Sequence, residues 1–117
     1  MNKTPRSSPS EERFKQAAIE HGYQVLERGM PDFVLYREDG SGGLRFVEVK
    51  AGLDILRPDQ IRTLRVLAKY FDTKIALDGD FDNLLTIDEF IAVNRERGKR
   101  YRRMTYAERE AMRRSWK

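Results

Sequence analysis

Leu44-Arg45-Phe46-Val47-Glu48-Val49-Lys50 is the stretch on which the reading of the fold turns. It is rich in branched and aromatic residues and follows Asp39-Gly40-Ser41-Gly42-Gly43; a similar run, Asp32 to Arg37, precedes that turn. Two such runs joined by residues that tolerate positive φ predict an antiparallel hairpin. A turn centred near Gly40–Ser41 pairs residues whose numbers sum to about 81. That register sets Asp32 opposite Val49, between Glu48 and Lys50. Side chains alternate across a strand, so Phe46, Glu48 and Lys50 share one face. Asp32, Glu48 and Lys50 then converge at one end of the hairpin. Glu48 interrupts an otherwise apolar run, and a carboxylate buried there needs a cation or hydrogen bonds.

Outward from the hairpin, the pattern alternates helix and strand. Ser10 reads as the N-cap of a helix from Glu11 to about His21, closed by Gly22. Tyr23 to Glu27 reads as a strand. Residues 51–57 form a loop, and Pro58 opens a helix reaching about Phe71, with Ile61, Leu64, Leu67, Ala68 and Phe71 at helical spacing. Thr73 to Leu77 reads as a further strand, and Thr86 or Ile87 to Val93 as a short helix. Residues 95–104 are basic and expected to be loosely ordered. Thr105 and Glu108 read as the capping box of a last helix. The core order is therefore α-β-β-β-α-β-α. Residues 1–10, with Pro5, Ser7, Ser8 and Pro9, read as a disordered lead-in. Residues 11–94 form the folded domain, and residues 95–117 a basic, partly helical extension.

A chain of 117 residues, 39% hydrophobic and 36% charged, has room for one domain. It has no cysteine, which excludes disulfide scaffolds, Cys-ligated zinc, iron–sulfur sites and thiol nucleophiles. A single histidine, His21, argues against His-rich metal sites and a Ser-His-Asp triad. No apolar run approaches a membrane span, and no charged-then-apolar leader is expected, which points to a cytoplasmic or nucleoid-associated protein. The net charge of +4 is uneven: residues 95–117 hold ten Lys/Arg and three Glu, while residues 1–94 hold 13 basic and 16 acidic residues. A weakly acidic body with a basic tail points to a polyanionic partner, nucleic acid above all.

Two carboxylates in one place invite a divalent cation. Mg²⁺ prefers hard oxygen ligands, here Asp32, Glu48 and the main-chain carbonyl of Val49, and keeps several waters. Such an ion generates hydroxide and stabilises charge on a phosphodiester, while Lys50 can polarise water or neutralise phosphate. The bland alternative is an ion pair between Lys50 and Glu48 or Asp32. Gln60 lies in line with Leu64, Leu67 and Phe71 at the head of an apolar stripe, and Glu11 lies in line with Phe14 and Ala18. Each helix can thus present one polar group towards the sheet edge. Glu12, on a mixed face, is the rival of Glu11.

Gly29-Met30-Pro31-Asp32, Phe46-Val47-Glu48-Val49-Lys50 and Gln60 together resemble the motifs of PD-(D/E)xK phosphodiesterases. The spacing of Glu48-x-Lys50, Asp54, Leu56 and Gln60 is similar to that of the VRR-Nuc group of virus-type replication-repair nucleases. Archaeal Holliday-junction resolvases are related to these. The resemblance spans about residues 11–93. It implies a restriction-endonuclease-like α/β core, a central mixed sheet flanked by helices, and metal-dependent DNA cleavage with Mg²⁺ or Mn²⁺. It makes Asp32 and Glu48 metal ligands, Lys50 the catalytic lysine, Gln60 a supporting residue and Glu11 the first-helix acid; Asp54 follows the pattern without a role. A homodimer is expected from the small size and the exposed catalytic edge, with branched or junction DNA as one candidate substrate beside nicked, single-stranded and plain duplex DNA.

Two other functions compete. One is a non-catalytic nucleic-acid-binding module in which the acid–lysine cluster is purely structural. The other is a calcium-binding interaction protein, because Asp78, Asp80, Asp82 and Glu89 fall at EF-hand positions 1, 3, 5 and 12. Asn83 stands where such a loop needs glycine, and the preceding Lys74 to Leu77 reads as a strand.

Overall fold

The hairpin forms, as β1 (Phe33–Leu35) and β2 (Arg45–Lys50), and β2 is the middle strand of a three-stranded mixed sheet. Phe33 pairs with Val47, Val34 with Phe46 and Leu35 with Arg45. The register is one residue from expectation, because the connection is centred on Gly40 and not between Gly40 and Ser41. Extending it by one step sets Asp32 across from Glu48. β3 (Asp72–Leu77) runs parallel to β2, with Glu48 beside Ile75 and Lys50 beside Leu77. In this computed structural model residues 8–116 are described.

α2 (Pro58–Ala68) connects the two parallel strands, and α3 (Ile87–Arg102) follows β3. Both pack on β3 and on each other. The core is Leu56, Leu64, Ile75, Ile87 and Phe90, of which Leu64, Ile75 and Phe90 are fully buried. Phe46 extends it along β2 by an edge-to-face contact with Phe71, 5.2 Å between ring centres. Burying these side chains at about 1.5–3 kcal/mol each supplies the main force joining helices to sheet.

α1 (Pro9–Glu20) begins two residues before the expected start. Its N-cap is Ser8, not Ser10: the Ser8 hydroxyl accepts from Glu11 N–H while Glu11 Oε1 accepts from Ser8 N–H. Pro9 suits the first helical position, and Ser10 instead accepts from Arg13. Of the lead-in expected over residues 1–10, residues 1–7 lie outside those described.

The strand expected over Tyr23–Glu27 does not form. This segment lies against the first turns of α2, where Val25, Leu26 and Glu27 face Pro58, Asp59, Arg62 and Thr63, and the Thr63 hydroxyl donates to the carbonyl of Arg28, the residue that follows it. The expected short helix ending at Val93 instead runs on to Arg102, because Asn94 and Arg97 find acceptors in the loop after β2. α4 (Tyr106–Ser115) starts at the expected Thr105–Glu108 capping box. The α/β class and the helix-flanked mixed sheet stand, with the order α-β-β-α-β-α-α. Among the described residues no helix is long and apolar enough to cross a membrane.

Candidate active site

Glu48 is the centre of the site. It lies on the α2 face of β2 and is only 4% exposed. Its Oε2 accepts from Gln60 Nε2 at 2.9 Å and lies 3.5 Å from Lys50 Nζ. Its Oε1 is buried without a hydrogen-bond partner. Burial raises the Glu48 pKa above its ordinary value of 4.5, the negative charge of Asp32 raises it further, and Lys50 opposes both.

Gln60 ties the end of β2 to the start of α2. Its Nε2 donates to Glu48, while its Oε1 accepts from Lys50 Nζ at 3.1 Å and from Arg57 N–H at 3.0 Å. Two donors on one side and a carboxylate on the other leave the amide only one satisfactory orientation. The position follows from the helix: Pro58 sets the first turn, and Gln60 comes before the buried Thr63, Leu64 and Leu67. The stripe thus carries its polar head into the sheet, as its spacing predicts.

Asp32 is exposed and sits just before β1. Its Oδ2 accepts from Val49 N–H at 2.9 Å. This bond places the acid beside the Val49 peptide and within Coulombic reach of Glu48. The segment leading to Asp32 is set by Gly29, which has φ +74 and lies against the first turn of α2. A Cβ there would stand 2.5 Å from the Asp59 carbonyl oxygen and 2.8 Å from Gln60 Cα. Gly29→Ala is therefore expected to destabilise the fold by more than about 1 kcal/mol, since the contact is with backbone and the φ is unfavourable. Chemical denaturation measures this; an unchanged midpoint would refute the close approach.

Glu11 is not brought to this cluster. Its carboxylate completes the α1 capping box, and nearby lie Phe14, Lys15, Val25 and Glu27. Glu12 acts on Lys15. Asp54 acts locally, accepting from Ala51 N–H at 3.2 Å and shaping the turn after Lys50. The sequence reading gave Asp54 no role; its acid bonds back to the N–H three residues before it, in the turn that follows β2. The acids of the EF-hand spacing are dispersed: Asp78 binds Gly52 N–H and Arg97, Asp80 accepts from Asp82 N–H, and Glu89 caps α3. Among the described residues no three His, Cys, Asp or Glu side chains gather as a metal site.

The raised Glu48 pKa has a definite sign in stability. Between pH 4.5 and its higher folded value the folded state holds more protons than the unfolded chain, so rising pH destabilises the metal-free fold through this group. Glu48→Gln removes that titration. The melting temperature of the variant relative to wild type, without divalent ions, is expected to rise as pH goes from below 4.5 towards neutrality and then level off. A pH-independent difference would contradict the assignment.

A mixed α/β sheet with an aspartate ahead of one strand and Glu-x-Lys closing the next is a restriction-endonuclease-like arrangement. The model of the VRR-NUC domain matches residues 3–76, and the chain belongs to that family. It is a nuclease-type protein, with nucleic acid as its substrate. The matched range ends inside β3, so α3 and α4 lie beyond it. No curated protein and no solved structure matches the chain.

Proposed function

We propose that this protein is a Mg²⁺-dependent DNA endonuclease that hydrolyses phosphodiester bonds, with Mn²⁺ able to substitute. The observation that carries this reading is Glu48 Oε1, a buried acceptor with no partner, beside the charge of Asp32. An orphaned buried carboxylate oxygen is costly unless a ligand takes it, and adjacent acids suit a hard divalent cation. Asp32, Glu48 and the Val49 carbonyl would hold that ion, which supplies an acidified water and neutralises phosphate charge. Gln60 orients Glu48 and restrains Lys50. The Lys50 side chain is only 12% exposed, and its ammonium acts on the attacking water or a phosphate oxygen. Glu11 is the first-helix acid of the resemblance, and in this structure it serves α1.

Cleavage assays with Mg²⁺, Mn²⁺ or chelator across duplex, nicked, single-stranded and branched DNA test this function. Metal-dependent cuts that fail in chelator support it, and selectivity for branched substrates would support the junction reading. No cleavage of any substrate with either ion would favour a non-catalytic nucleic-acid-binding module. The edge strand β1 exposes Phe33 and Val34, which supports the homodimer as part of this reading. A cytoplasmic or nucleoid location accords with a DNA substrate.

The basic tail supplies a phosphate-binding face. Arg95, Lys99 and Arg102 follow at helical spacing on α3 and, with Arg103, are exposed. Replacing these four by Gln is expected to lower the log–log salt slope of DNA binding by roughly 2–4, at about 0.9 per phosphate contact. Fluorescence anisotropy over a salt series measures it, and an unchanged slope removes this face from the account.

A further inference from the structure

The C-terminal arm grips the chain just behind the proposed catalytic lysine. Gly52, two residues past Lys50, is buried and has both backbone polar groups engaged: its N–H donates to Asp78 Oδ1 at 2.9 Å, and its carbonyl accepts from Arg97 Nη1 at 3.2 Å. Arg97 Nη2 donates to Asp78 Oδ2 at 2.8 Å, which closes a ring of side-chain and main-chain bonds. Asp78 N–H in turn donates to the Lys50 carbonyl at 2.7 Å. Asp78 holds φ 57, unusual for a residue with a side chain, and is the described non-glycine residue with positive φ. Such a conformation persists where surrounding contacts over-determine it.

Trp116, from the end of α4, covers this ring. A Cβ on Gly52 would lie 2.6 Å from Trp116 Cε3, so the indole occupies the space that glycine leaves. The Arg97 guanidinium stands 5.6 Å from the indole centre, a cation–π contact. Asn94 adds a bond from Nδ2 to the Asp54 carbonyl at 2.9 Å. Arg97 and Trp116 both lie beyond the region matched by the family.

We propose that Arg97 is a positioning residue for Lys50, acting through Asp78 and Gly52 under the cover of Trp116. This rests on the nuclease reading for its consequence, turnover, but not for its mechanical part. With Lys50 held from in front by Gln60 and from behind by this latch, its ammonium is kept in register with Glu48. Release of the latch lets the 51–54 segment move and with it the end of β2. Small misplacements of a reacting group cost rate far more than they cost substrate binding.

The test uses the full chain and three variants, Arg97→Ala, Arg97→Lys and Asp78→Asn. Amide exchange over residues 51–54 and emission from Trp116, the single tryptophan, report the latch; kcat and KM for DNA cleavage with Mg²⁺ report its consequence. Arg97→Ala is expected to speed exchange at 51–54 about 10-fold or more, to red-shift the emission, and to lower kcat about 10-fold with KM within about twofold. Arg97→Lys, which keeps the charge facing Asp78, recovers part of both. Unchanged exchange and emission in Arg97→Ala overturn the latch, and altered exchange with unchanged kcat overturns positioning of Lys50. If Arg97→Ala does not fold, Asp78→Asn decides by the same readings, since it keeps an acceptor for Gly52 and removes the charge facing Arg97. A wild type that cleaves no DNA removes the nuclease reading, while exchange and emission still decide whether Arg97 holds the segment.

Discussion

Glu48→Gln is expected to lower metal-dependent DNA cleavage by roughly 10³-fold while the protein stays folded, the upper range for loss of one electrostatic group at a reacting centre. The substitution keeps shape and keeps an oxygen to accept from Gln60 Nε2, so the link from β2 to α2 survives. It removes the negative charge and sets an amide where Oε1 now lies buried and unpartnered. A cation there would lose an anionic ligand and a lone pair together. Thermal shift on adding Mg²⁺ should be present in wild type and absent in the variant. Asp32→Asn should behave alike, because Asp32 contributes the second charge while its bond to Val49 N–H can persist through the amide oxygen. Cleavage at the wild-type rate in either variant would sink the site. Loss of folding in Glu48→Gln would instead show that the Glu48–Lys50–Gln60 cluster is structural.

Much of this site is legible because it breaks local rules. An acid inside Phe46-Val47-Glu48-Val49 cannot be an ordinary strand residue, and its burial beside Gln60 and Lys50 answers that conflict. Gln60 at the head of an apolar helical stripe is a second conflict, resolved by the same contacts. What was not legible depends on partners remote in sequence. The one-residue error of register at Asp32 came from the centre of a glycine-rich connection, where Gly40, Gly42 and Gly43 all take positive φ and several turns fit equally well. Tyr23 to Glu27 has strand-like alternation, but a strand needs a neighbour to pair with, and here Val25, Leu26 and Glu27 lie beside α2. The length of α3 rests on acceptors at Gly52 and Asp54, more than 40 positions away for Arg97. Glu11 shows the opposite case: its place in an apolar stripe pointed inward, while a serine three residues earlier offered a nearer use for its carboxylate.

Lys50→Ala is expected to lower turnover by roughly 10²-fold or more while Mg²⁺ still stabilises the protein, because the lysine is assigned to water or phosphate and not to the ion. Its ammonium lies 3.5 Å from Glu48 Oε2 and 3.1 Å from Gln60 Oε1, so it also neutralises Glu48 in the metal-free state. Removing it leaves a buried carboxylate without its cation, which destabilises the metal-free fold and drives the Glu48 pKa further upward, the direction burial already pushes it. A divalent ion can supply the missing positive charge. The functional reading therefore predicts a distinctive pair of results: Lys50→Ala loses stability without metal, regains much of it on adding Mg²⁺, and yet remains slow. A purely structural ion pair predicts no such rescue and no cleavage in wild type to compare. Lys50→Ala that cleaves at the wild-type rate in saturating Mg²⁺ would show that the ammonium only balances charge, and would leave the two carboxylates to account for the chemistry.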